Sequence, residues 1–278
     1  MISSAKRILV PVDFSDCSKN ALHYAAFIAE KLGAKIILLH ALEPPFNFPA
    51  HIDGALDYLK KNAHKHLERM IDELESSVES KQLKIEKELV IGKTVTEIIR
   101  WIKSEEPDLV ITGSGTEMRG RKMIFGSVST DMLLKSPVPV LTVPENFAIG
   151  DFKKILFTTN YKRNDLENLK SVSDFAKEFD GSVQIVHVSI KDDLESQIKF
   201  RGFKDLISEE KDLKNTDFKL IIDSDPFDAI SELVDKEGAS MIVLNRYSKN
   251  VFEKLLYKDH TKQLGVYAKT PMLVIPSK

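Results

Sequence analysis

Apolar and polar positions along the chain switch between two periods, and the switching lays out the elements. Residues 6–12 form an apolar run that predicts a strand buried on both faces. Over residues 16–33, Ala21, Leu22, Ala25, Ile28, Ala29 and Leu32 recur at helical spacing, and Ser15 stands where an N-cap belongs. Residues 35–41 read as a second apolar strand, 54–80 as a long charged amphipathic helix, and 84–90 as a third strand. Thr94-Val95-Thr96-Glu97 has the form of a capping box opening the next helix. Residues 108–112 and 138–143 predict two more strands, with a helix over 127–135 between them. Strands alternating with helices predict an α/β fold: an open, mostly parallel five-stranded sheet with helices on both faces.

The pattern then occurs again. Lys6-Arg7-Ile8-Leu9-Val10-Pro11-Val12-Asp13-Phe14 aligns with Lys153-Lys154-Ile155-Leu156-Phe157-Thr158-Thr159-Asn160-Tyr161 at an offset of 147, which also brings Ile37-Leu38-Leu39-His40 onto Gln184-Ile185-Val186-His187. Further on the offset is 132: Asp108-Leu109-Val110-Ile111 meets Ser240-Met241-Ile242-Val243, and Pro139 to Pro144 meets Pro271 to Pro276. Two constant offsets mean two copies, the second 15 residues shorter between its second and third strands. The expected organisation is two tandem domains, 1–145 and 151–278, joined by a short linker.

Composition narrows the function classes. The chain has 278 residues, 42% of them apolar, enough for two ordinary cores. The formal charge of −2 divides evenly between the copies, so neither half is a basic nucleic-acid or membrane-surface module. The one cysteine, Cys17, excludes an internal disulfide framework and suits a reducing compartment. The start shows no leader pattern, and the longest apolar runs have strand length, so a soluble, cytoplasmic protein is expected, with no nucleic acid and no membrane among its partners.

In open α/β sheets ligands bind beyond the carboxyl ends of the strands. There the first copy carries Pro11-Val12-Asp13, His40-Ala41 and Thr112-Gly113-Ser114-Gly115-Thr116, followed after a loop by Gly126-Ser127-Val128-Ser129 at a helix start. Gly113 and Gly115 allow close backbone approach, and a helix N-terminus favours an anion. Ser127 and Ser129 add hydroxyls, and Arg119, Arg121 and Lys122 lie in the loop between. Two readings stand side by side: a phosphate cradle, or a tight turn followed by a serine N-cap. Asp13 is placed either to accept from a sugar hydroxyl or to close an Asx-turn. His40 and His187 read as hydrogen-bonded core residues, and Cys17 and Trp101 as packing residues. His64 and His66 diverge on a helix and have no ligand spacing. No P-loop, G-x-G-x-x-G after the first strand, nucleophile elbow or H-E-x-x-H helix occurs, and no nucleophile and base pair is visible.

These segments resemble the universal stress protein family, once per copy over nearly the whole chain. Ile8-Leu9-Val10-Pro11-Val12-Asp13-Phe14-Ser15 is similar to the family's first strand and Ile37-Leu38-Leu39-His40 to its second. The family's nucleotide signature is Gly, two residues, Gly, nine residues, Gly, then Ser or Thr. The first copy matches it at Gly113, Gly126 and Ser127, with Thr116 in place of the second glycine. The resemblance implies a Rossmann-like fold of the adenine nucleotide alpha hydrolase kind. It implies ATP or AMP as ligand, with Mg only if ATP is bound. Pro11, Val12 and Asp13 would lie against the adenosine, the Ala41 backbone would hold the adenine, and Gly113, Thr116, Gly126, Ser127, Val128 and Ser129 would surround the phosphates. The second copy has Asn160 for Asp13, and Asn245, Ser248, Lys258 and Asp259 at the signature positions, so no nucleotide is expected there. Family members dimerise through the last strand, which implies a homodimer or an intrachain pseudo-dimer between residues 139–144 and 271–276. Three functions compete: a nucleotide-binding regulatory module of the stress response, a nucleotide-independent interaction protein, and a slow ATPase or adenylate-transferring enzyme supported by fold analogy alone.

Overall fold

Two β-α repeats share one sheet. A computed structural model describes residues 2–44, 54–78, 83–115, 126–145, 147, 149–150, 152–213, 216–247 and 269–277. The first half runs β1 (Arg7–Val12), α1 (Asp16–Leu32), β2 (Lys35–Leu42), α2 (Ala55–Ser77), β3 (Lys84–Ile91), α3 (Thr94–Glu105), β4 (Leu109–Ser114), α4 (Ser127–Lys135) and β5 (Val140–Pro144). The second runs β6 (Lys154–Thr158), α5 (Arg163–Glu178), β7 (Ser182–Ser189), α6 (Leu194–Glu209), β8 (Asp217–Ile222), α7 (Pro226–Glu237), β9 (Met241–Arg246) and β10 (Met272–Pro276). The long helix α2 has 23 residues where α6 has 16, which accounts for part of the shorter second repeat.

The strand order is β3-β2-β1-β4-β5-β10-β9-β6-β7-β8. Every neighbouring pair is parallel except β5 and β10, which run antiparallel with Leu141 opposite Leu273. The two five-stranded sheets expected from the repeat are thus one ten-stranded sheet with a pseudo-twofold at its centre. An unpaired edge strand leaves a row of backbone donors and acceptors unsatisfied, and β5 and β10 satisfy each other. The Thr142 hydroxyl adds a buried bond to the Met272 carbonyl, 3.3 Å.

Local signals explain the individual elements. Ser15 caps α1 by accepting from the Ser18 amide, and Gly33 ends that helix in the left-handed region at φ 61°. The expected capping box at Thr94 does not form. Lys93 is the N-cap of α3, and the Thr94 amide and hydroxyl both donate to the Glu43 carboxylate at 3.3 Å. Glu97 instead pairs with Arg100, so a carboxylate from the end of β2 takes the role that Glu97 would have had.

Two cores sandwich the sheet. Helices α1, α2, α5 and α6 cover one face and α3, α4 and α7 the other. The halves also join away from the central strands. Phe152 is buried between Tyr24 and Phe27 of α1 and Phe175 and Phe179 of the second half, at ring distances of 4.9 to 6.3 Å. The Ile2 amide donates to the Ser171 hydroxyl of α5, 2.8 Å. Among the described residues, no helix is long and apolar enough to cross a membrane.

Candidate functional site

The carboxyl ends of β1 and β4 and the N-termini of α1, α3 and α4 enclose a cleft of about 310 Å³. Of the site residues expected from sequence, Pro11, Val12, Asp13, Gly113, Gly126, Ser127, Val128 and Ser129 line it. Ala41 does not: its side chain is buried in the core with Leu39 and Ile98. Thr116, with Arg119, Arg121 and Lys122, lies outside the described residues. Ser15, Cys17, Ser18, Thr94, Ile98, Thr112 and Gly115 complete the lining. Position at the strand ends could have flagged Thr112. Nothing in sequence brings Thr94 and Ile98 of α3 to Asp13; only the parallel order of the strands does.

The glycines have different reasons. A Cβ on Gly113 would stand 2.4 Å from the Cys17 carbonyl oxygen, so glycine is required there for α1 to pack on β4. A Cβ on Gly115 would meet the Cys17 sulfur at 2.9 Å. Gly126 is unlike both. Its φ of −60° suits any residue, and a Cβ would meet only the Ser129 hydroxyl, at an ordinary 3.7 Å. Packing among the described residues therefore does not demand a glycine at 126.

Gly126, and not Ser127, is the N-cap of α4, and no side chain among the described residues caps this helix. The first helical bond runs from the Thr130 amide to the Gly126 carbonyl, which leaves the amides of the first turn directed at the cleft. Ser127 is exposed there. Ser129 is buried and donates its hydroxyl to the Gly126 carbonyl, 3.0 Å, so it fixes the helix start and is not a free donor.

Asp13 closes the Asx-turn: its Oδ1 accepts from the Ser15 amide at 3.1 Å and the Ser15 hydroxyl at 2.5 Å. The Asp13 side chain is exposed and lines the cleft. Burial acts to raise the Asp13 pKa, but the hydrogen bonds from Ser15 and Ser18 outweigh it and hold the carboxyl below the usual aspartate range. Cys17 donates to a Glu145 carboxylate oxygen at 3.4 Å. Burial, then that bond and the charges of Glu145, Asp13 and Asp16, push its thiol up to about 12, so it stays protonated and is no nucleophile at neutral pH. No group of three or more metal-binding side chains occurs among the described residues.

The paired histidines are structural in both halves. His40 Nδ1 donates to the Val12 carbonyl at 2.8 Å, and the ring lies 4.4 Å from Phe14. His187 Nδ1 donates to the Thr159 carbonyl at 2.6 Å, with Tyr161 at 4.1 Å. Phe14 and Tyr161 both have positive φ, 66° and 59°, so each histidine braces a strained turn at the end of the first strand of its repeat. The second half lacks the features of the cleft. Asn245 stands where Gly113 does and Asn160 where Asp13 does, while Ser248, Lys258 and Asp259 lie outside the described residues.

Comparison with known proteins agrees with this architecture. The model of the universal stress protein family matches residues 4–144. A universal stress protein of Methanocaldococcus jannaschii is 24% identical over 140 residues, covering 50% of this chain and 81% of its own length. The stress response protein NhaX of Bacillus subtilis is 29% identical over 164 residues, covering 50% of this chain and 98% of its own. A crystal structure of a universal stress protein from Archaeoglobus fulgidus superimposes with a TM-score of 0.74 at 21% identity, covering 97% of this chain and 98% of that one, and so shares the fold through both halves. With strand order, cleft position and family match in agreement, the chain belongs to the universal stress protein family.

Proposed function

We propose that this chain is a regulatory module that binds an adenine nucleotide, ATP or AMP, in the cleft of a first domain spanning residues 1–145. A second domain, residues 151–278, serves as its structural pseudo-partner. The observation that carries this reading is the open N-terminus of α4 at a glycine that packing does not require. Uncapped amides and the helix dipole favour a phosphate there. The other groups fit the rest of the ligand: the exposed Asp13 carboxylate is an acceptor for a ribose hydroxyl, and Val12, Ile98 and Val128 offer apolar surface to a base. Mg would enter only as the companion of ATP. The cytoplasm is the compartment that fits the single protonated thiol and the absence of an apolar spanning helix among the described residues.

Thermal unfolding with and without nucleotide tests the reading. A ligand that binds only the folded state stabilises it by about 2.7 kcal/mol at a hundredfold excess over its dissociation constant. The expected result is a clear upward shift with ATP or AMP that disappears in Gly126→Asp, where a carboxylate meets the phosphate. No shift at millimolar nucleotide would reject the reading and favour a nucleotide-independent interaction protein. Release of product from bound ATP would instead make the chain an enzyme.

A further inference from the structure

The cleft of the second half is larger than the first and is built from different chemistry. It encloses about 520 Å³ at the carboxyl ends of β6, β7 and β9, against about 310 Å³ in the first half. Its walls are Val186, Val188, Pro226, Phe227, Ile230 and Leu244. The polar side chains on its floor are engaged within the protein. Asn245 donates to the Thr158 carbonyl at 3.1 Å and accepts from Asn168 at 2.7 Å. The Thr158 hydroxyl donates to the Val243 carbonyl at 3.0 Å, and the Thr159 hydroxyl to Asp165 at 2.7 Å. The backbone amide of Asn160 also donates to Asp165, 3.0 Å. Arg246 turns its guanidinium away, to the Leu133 and Ser136 carbonyls at 2.5 Å each.

Three polar groups are left, the first being the side chain of Asn160, an exposed residue of which only the backbone amide is engaged. The Tyr247 side chain lines the cleft, and its hydroxyl is buried with no hydrogen-bond partner among the described residues. Lys162 lines the cleft, is exposed, and forms no ion pair among the described residues. A cleft of this size with apolar walls and a few polar groups is the usual form of a small-molecule site.

We propose that the second cleft binds a small aromatic or aliphatic carboxylate, its apolar body against Val188, Phe227 and Leu244 and its charge toward Lys162. A nucleotide suits it less well, because the Asn245, Thr158 and Thr159 side chains of its floor are engaged and leave only Lys162 and the Asn160 side chain to face a phosphate chain. This inference stands apart from the nucleotide reading of the first cleft.

The probe is 1-naphthoate, titrated against the full chain by calorimetry in the presence and absence of ATP, with 1-naphthylmethanol as the uncharged analogue. One saturable naphthoate site is expected, indifferent to ATP. Lys162→Met should weaken naphthoate about tenfold and leave the alcohol unchanged. Val188→Glu, which places a carboxylate on the cleft wall, should abolish binding of both. Lys162 is exposed, so Lys162→Met keeps the test valid if Val188→Glu fails to fold. Absence of saturable binding at millimolar naphthoate, equal weakening of acid and alcohol by Lys162→Met, or competition by ATP would each overturn the proposal.

Discussion

Gly113 and Gly126, both on the first cleft, carry opposite expectations. Gly113→Ala would drive a methyl group into the Cys17 carbonyl, 2.4 Å away, and force α1 off β4. Overpacking of this kind costs about 1–3 kcal/mol. Gly126→Ala meets only a van der Waals contact. Alanine caps a helix less well than glycine but restricts the unfolded chain more, so the net change should be about 1 kcal/mol or less. Urea denaturation midpoints of the two variants check this: Gly113→Ala should fall well below the parent and Gly126→Ala should stay near it. The sequence marked both glycines, but not that packing requires one only at 113. Spacing leaves a phosphate cradle and a tight turn side by side, whereas the partner of Gly113 is a backbone carbonyl 96 positions earlier in the chain, brought close only by the fold. Asp13 shows the same limit. Of its two sequence readings the Asx-turn forms, through Oδ1 to Ser15, and the carboxylate still lines the cleft.

At the scale of elements, the hydrophobic periods located the first half's strands and helices to within a few residues, since all but the edge strand β3 bury apolar residues in one of the two cores. Side-chain caps were less legible. Ser15 caps α1 as expected, but Thr94 turns to Glu43, 51 positions away, which a local motif cannot reveal. Two ties between elements give measurable expectations. Arg246 of β9 bonds the last carbonyls of α4, and so holds the far end of the helix whose N-terminus lines the first cleft. Hydrogen bonds to a charged group contribute about 1.5–3 kcal/mol, so Arg246→Met should lower stability by about that much in chemical denaturation. Glu237 of α7 is paired with Lys154 at 2.5 Å and Lys219 at 3.1 Å. Those bonds lower its pKa from 4.5 to about 2. A carboxyl depressed in the folded state adds stability above its unfolded pKa, and loses it as pH falls through the folded value. Stability should therefore decline between about pH 4.5 and 2, and Glu237→Gln should flatten that part of the profile.

At the scale of the whole molecule, the repeat in the sequence announced two copies, and the family resemblance implied pairing between 139–144 and 271–276. It did not reveal that Phe152, just past the linker, is a second joint. That ring is buried against aromatic residues from both halves. Removing it should cost about 3–5 kcal/mol, the range for a buried Phe→Ala change. Because the sheet and this cluster both cross the junction, Phe152→Ala should lower one shared unfolding transition and not release one half alone, as calorimetry can show. The same continuity sets the roles of the two clefts. The repeat gives them equal positions, and side-chain chemistry then separates them: open amides and a glycine free of packing demands in the first, engaged donors and apolar walls in the second. The most direct test is amide NMR of the full chain titrated with AMP and ATP. Nucleotide binding at the start of α4 should move the Gly126, Ser127 and Val128 amides and leave Leu244 to Tyr247 in place. Shifts confined to the second cleft, or none at millimolar nucleotide, would contradict a nucleotide site in the first half.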